Sequence, residues 1–218
     1  GNTIYLLGSI HIGNSMVYPL NQRLKKAFNE SDALIVEANL FDQSGGIEYF
    51  VQKATYQDGT VLKDNVNEHT YNKLLKVLEK FGIPENTYSI YKVWSVANDM
   101  NVFSISKSQS MDNAAQSANL GIDIYFLSNA LMNQKPIIEL EGMKFQADLF
   151  DGLSKETQEE YLNSILDGIL NPDEDKAKEP AKLIEEWLLQ WSSGDIEGFK
   201  DSYAKTENKE SDTEAEEF

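Results

Sequence analysis

Short apolar runs alternate with amphipathic stretches along this chain of 218 residues. Residues 3–8, TIYLLG, form an apolar run closed by glycine and predict a buried strand. A polar turn containing Gly13 follows. Pro19 then suits the first turn of a helix in which Leu20, Leu24, Ala27 and Phe28 recur at helical spacing. Residues 33–36, ALIV, predict a second strand that ends at Glu37. Strand, helix and strand in this order make a right-handed βαβ unit with parallel strands.

Gly45 and Gly46 separate that unit from a helical stretch over 47–56. Asn67 is placed to cap a helix with Tyr71, Leu74, Leu75, Leu78 and Phe81 as its stripe and Gly82 at its end. Another helix is predicted over 86–98, and a third strand over 102–106, VFSIS. Residues 107–119 are polar and read as loop or frayed helix, and Gly121 opens a further helix. Residues 136–140, PIIEL, predict a fourth strand. The remainder is helical, with one stripe through Tyr161, Leu162, Ile165, Leu166, Ile169 and Leu170. A second runs through Leu183, Ile184, Trp187, Leu188 and Trp191, after a break at Asn171-Pro172. The pattern predicts one α/β domain over 1–204, with a largely parallel central sheet, flanking helices and a helical C-terminal part. Residues 205–218 read as a disordered acidic tail.

Composition narrows the function. Asp and Glu number 36 against 19 Lys and Arg, a formal charge of −17. Nucleic acid is an unsuitable partner, because phosphate binding relies on clustered Lys and Arg. With no cysteine, disulfides, zinc–thiolate sites and thiol nucleophiles are excluded.

In a parallel sheet, ligands bind beyond the carboxyl ends of the strands. The predicted strands end at Gly8-Ser9-Ile10-His11, at Glu37 and at Glu139-Leu140-Glu141. Parallel strands would gather His11, Glu37 and Glu141 at one edge. One imidazole with carboxylates suits a divalent cation, whose bound water then loses its proton more readily. The same groups suit metal-free acid–base work. Structural roles compete with each of these. His11 can be a plain hydrogen-bonder, Glu37 can pair with Arg23 or a lysine, and Glu139 and Glu141 can line a solvated edge. His69 belongs to a surface helix, and Trp94 reads as core rather than as a substrate platform. No P-loop, GxGxxG, GxSxG, HExxH or EF-hand pattern occurs.

The run from Thr3 to Leu40 resembles the opening of the TraB/GumN family, which includes the PrgY pheromone-shutdown proteins and the Tiki proteases. The resemblance continues through Gly121-Ile122-Asp123, through Lys135-Pro136-Ile137-Ile138-Glu139-Leu140-Glu141, and to Gln146. It implies a mixed α/β fold akin to the erythromycin-esterase, ChaN and Tiki groups. It also implies a hydrolase site built from two GxxH elements, a glutamate and a metal such as Mn, Co or Zn. Gly8-Ser9-Ile10-His11 matches the first GxxH and Glu37 the glutamate. On this footing His11 and Glu37 are candidate metal ligands, Glu37 and Glu141 candidate catalytic carboxylates, and Ser9, Lys92 and Gln146 candidate substrate contacts. Lys92-Val93-Trp94 departs from a Lys-Pro-Trp pattern of the family. No second GxxH occurs, so the chain reads as a truncated core whose last strand and helix lie elsewhere.

The expected function is a metal-dependent hydrolase acting on peptide or protein, with a non-catalytic peptide-binding protein as the alternative and a haem or iron binder as the third. The resemblance also implies a bacterial extracellular or cell-surface setting with a membrane anchor outside the chain. A sheet edge left open predicts a homo-oligomer.

Overall fold

The computed structural model describes residues 2–11, 17–106, 119–171 and 174–204. The Gly13 turn, the polar loop beyond residue 106, Pro172 and the acidic tail lie outside the described residues. The chain groups into two compact units, one of residues 1–13 and 30–172, the other of 14–29 and 173–218.

In the larger unit, β1 (Leu34–Val36) and β2 (Ile137–Glu139) pair in parallel, with Val36 opposite Glu139. The helices are α2 (Gly46–Ala54), α3 (Glu68–Phe81), α4 (Val93–Ser106), α5 (Ile122–Met132), α6 (Gly142–Asp151) and α7 (Lys155–Leu170). Their ends follow local chemistry. The Asn67 side chain accepts from Thr70 N at 2.8 Å, and Ser154 Oγ accepts from Thr157 N at 3.1 Å, so each satisfies an amide that the first helical turn leaves unpaired. Gly82 closes α3 at φ +66°, where a side chain would be strained.

The core lies between α3, α4 and α7. Leu74, Val77, Leu78, Val96, Ala97, Met100, Leu162 and Leu166 are almost wholly removed from water there. Trp94 sits apart, stacked on Phe150 of α6 and edge-on to Phe50 of α2, with centroids 5.5 and 5.2 Å away. It is core, as its sequence setting suggests.

The smaller unit contains α1 (Gln22–Glu30), α8 (Glu174–Ser193) and, after α8, a further helical segment over 196–204. Trp187 packs on Phe199 and Tyr203 and donates its indole N–H to Ser202 Oγ at 2.9 Å.

The chain is mixed α/β, mostly helical, with a small two-stranded parallel sheet. Two strand expectations are corrected. Residues 3–8 form no strand, and Ile4 and Leu6 are 77 and 95% exposed. An apolar run becomes a strand only when a neighbour completes its hydrogen bonds, and β1 takes β2 as its described partner. Residues 102–106 continue α4. Val93, Val96, Ala97, Met100 and Phe103 are all buried at helical spacing, so the longer 3.6-residue period outweighs the local β-branched run. No helix among the described residues is long and apolar enough to cross a membrane.

Candidate functional site

The parallel register brings the ends of both strands together. Beyond Val36 and Glu139 the chains stay joined: Leu140 N donates to Val36 O at 2.9 Å, and the amides of Glu141 and Gly142 both donate to Glu37 O, at 3.0 and 2.9 Å. Gly142 then turns the chain into α6 at φ +80°, a conformation that side chains rarely adopt.

That turn delivers Gln146 to the two carboxylates. Its amide nitrogen donates to Glu37 Oε1 at 2.8 Å and to Glu141 Oε2 at 2.5 Å. Both glutamates are exposed, so each keeps acceptor capacity facing water. Among the described residues, Gln146 is therefore a hydrogen-bond partner of Glu37. Glu139 is occupied separately, accepting from Asn39 N at 2.6 Å.

His11 lies on a different segment and is tied to α5. Its Nδ1 lies 2.6 Å from Asp123 Oδ2, and the Ser9 hydroxyl donates to Oδ1 of the same carboxylate. Between them, Ile10 O accepts from Ile122 N at 2.8 Å. The His11 pKa is raised above the ordinary histidine range. The Asp123 hydrogen bond is the main cause, partial burial opposes it, and the charges of Asp123 and Glu37 add to it. Burial works against ionised Asp123, but its bonds from His11 and Ser9 prevail and its pKa is lowered.

Lys92 belongs to another cluster, at the far end of α6. Its ammonium pairs with Asp151 Oδ1 at 2.6 Å, and Asp151 also accepts from Trp94 Nε1 at 3.3 Å and from Lys53 at 3.4 Å. An open cavity of about 460 Å³ lies there, lined by Tyr49, Lys53, Tyr56, Lys92 and Asp151 among others. Burial pushes the Tyr56 hydroxyl up to about 12. The structure thus brings Ser9 to Asp123 and Gln146 to the glutamates, and keeps Lys92 apart from both. His69 is exposed on α3.

Asp123 falls in the Gly121-Ile122-Asp123 stretch of the family resemblance but was not given a role there. Its signal was an acidic residue in the first turn of a helix opened by Gly121. Among the described residues, no three His, Cys, Asp or Glu side chains are gathered closely enough to hold a metal ion.

The TraB/PrgY/gumN family model matches residues 1–218. The chain belongs to the TraB/PrgY/gumN family. Its relatives include the uncharacterized protein YbaP of Escherichia coli (strain K12), 32% identical over 142 residues, which cover 65% of this chain and 49% of YbaP. The uncharacterized protein YbaP of Shigella flexneri matches with the same identity and coverage. This TraB-family chain spans about half the length of the curated relatives it matches. No solved structure matches it.

Proposed function

We propose that the strand-end group is part of a hydrolase site acting on peptide bonds with a divalent cation. His11 and Glu37 are the ligands this chain supplies, and Glu141 assists. One observation carries the reading: Glu37 and Glu141 converge on the Gln146 amide beyond the carboxyl ends of two parallel strands. The donor chemistry suits Mn²⁺, Co²⁺ or Zn²⁺, since one imidazole nitrogen and a carboxylate are both ordinary ligands for them. The described residues do not by themselves gather a full ligand set. A cation bound there supplies a more acidic water.

The chain's own residues have separate tasks. Gln146 holds the Glu37 and Glu141 carboxylates side by side, which their mutual repulsion alone would not favour. Glu141, bonded through one oxygen, keeps the other to accept a proton from water or a leaving amine. The test is peptide hydrolysis by the full-length protein, stripped of metal and then supplied with Mn²⁺, Co²⁺ or Zn²⁺. Activity returns with metal, and His11→Ala or Glu37→Gln lowers it roughly 10²–10⁴-fold, the range for a positioned acid–base or ligand group. Full activity in both variants, or in the metal-free protein, overturns the reading. Saturable peptide binding without turnover points instead to a binding protein.

A further inference from the structure

The segment before and including His11 is pinned to the first turn of α5 at three successive residues. Ser9 gives its hydroxyl to Asp123 Oδ1, Ile10 O takes the Ile122 amide, and His11 Nδ1 meets Asp123 Oδ2 at 2.6 Å. The His11 side chain is 74% exposed and the Asp123 side chain 25%. Packing therefore does little to orient the imidazole, and the contact with Asp123 does most. A carboxylate can only accept, so the ring nitrogen facing it must carry the hydrogen. Which nitrogen of a histidine is free to work is set by the bond the other one makes. Nε2 has no partner among the described residues.

We infer that Asp123 is a positioning residue for His11: it holds the Nδ1–H, fixes the neutral ring in that tautomer and leaves Nε2 as the nitrogen that meets a ligand. Ser9 is the second half of the device. Its hydroxyl occupies the other carboxylate oxygen and stops Asp123 from rotating away. This gives Ser9 a role inside the protein rather than against substrate. The inference rests on the reading that His11 works at the site, but its first test does not.

The chain contains only two histidines, so nitrogen-15 labelling of histidine gives a spectrum with His69 as an internal reference. Above the imidazole titration range, long-range proton–nitrogen correlations distinguish the two neutral tautomers. The unaltered protein is expected to show His11 as Nδ1–H, whereas a free imidazole favours Nε2–H. Asp123→Ala should return His11 to Nε2–H. Asp123→Asn, which keeps an acceptor oxygen but no charge, should retain Nδ1–H, a rescue that a loss of general stability would not produce. His11 found as Nε2–H in the unaltered protein overturns the inference, and so does Nδ1–H surviving in Asp123→Ala. Should Asp123→Ala fail to fold, the spectrum of the unaltered protein decides alone. Zinc titration separates the two claims. A shift of the Nε2 resonance, with affinity falling roughly 10–100-fold in Asp123→Ala, supports both. An unmoved Nε2 overturns both the hydrolase reading and the claim that Nε2 meets a ligand, and leaves only the tautomer assignment standing.

Discussion

The three-helix body and the strand-end site solve opposite problems with the same chain. In α3, α4 and α7, Val77, Val96, Ala97, Met100, Leu162 and Leu166 are fully buried, and stability comes from apolar area withdrawn from water. At the site, Ile35 and Ile138 remain about half exposed, and Glu37, Glu141 and His11 face solvent. There the geometry is set by directional bonds: one carbonyl of Glu37 accepting two amides, one Gln146 amide shared by two carboxylates, one Asp123 holding Ser9 and His11. Residues this exposed cannot be fixed by burial, so backbone turns and side-chain hydrogen bonds fix them instead.

The sharpest way to break this comparison is to damage the body and watch the site. Leu166→Ala removes a fully buried side chain from the α3, α4 and α7 core and should cost about 2–5 kcal/mol in chemical denaturation. The tautomer of His11 should not change while the protein stays folded. A cost under 1 kcal/mol would mean the helices are not the stabilising half.

The Asp151 cluster should give the next largest effect. Asp151→Ala leaves Lys92, Lys53 and the Trp94 indole without their shared acceptor, at about 1–3 kcal/mol for partly buried donors. Its pH dependence has a definite sign. Burial alone would raise the Asp151 pKa, but the bonds from Lys92, Trp94 and Lys53 outweigh it and hold it below the ordinary carboxylate value. The contribution is therefore complete above the unfolded-state carboxylate pKa and disappears as pH falls through the lower folded-state value. Unfolding followed across that acid range should show a steeper loss in the unaltered protein than in Asp151→Asn. Parallel curves would show that Asp151 contributes no linkage. Removing the cap at Ser154 should cost less, about 1 kcal/mol for Ser154→Ala, read as a drop in melting temperature.

The body was the more legible half from sequence. Its apolar stripes repeat every three or four residues over long stretches, and its cap Asn67 acts on an amide three residues away. Where sequence reasoning failed, a local run competed with a longer period, as at Val102 to Ser106, or needed a pairing partner that local composition does not specify, as at Thr3 to Gly8. The convergence of Glu37 with Glu141 was foreseeable because parallel strands expose their carboxyl ends on one side. The Asp123 contact was not, because it depends on where α5 starts relative to the His11 segment, and residues 112 apart carry no shared pattern.

Gln146→Ala should have the smallest effect on stability and is the most direct test of the site half of the comparison. Gln146 is only partly buried, and its side chain bonds two exposed carboxylates. Its removal leaves no buried cavity, and the freed oxygens turn to water. Unfolding free energy should move by no more than about 0.5 kcal/mol, as for surface changes away from caps and cores. The two carboxylates, however, lose the donor that keeps them adjacent, and like charges at such range repel. The proposed metal-dependent hydrolysis by the full-length protein should therefore fall while the denaturation curve stays in place. A loss of several kcal/mol would show that the amide bridge fastens α6 to the strands, and the division between a buried scaffold and a bonded rim would fail at that joint.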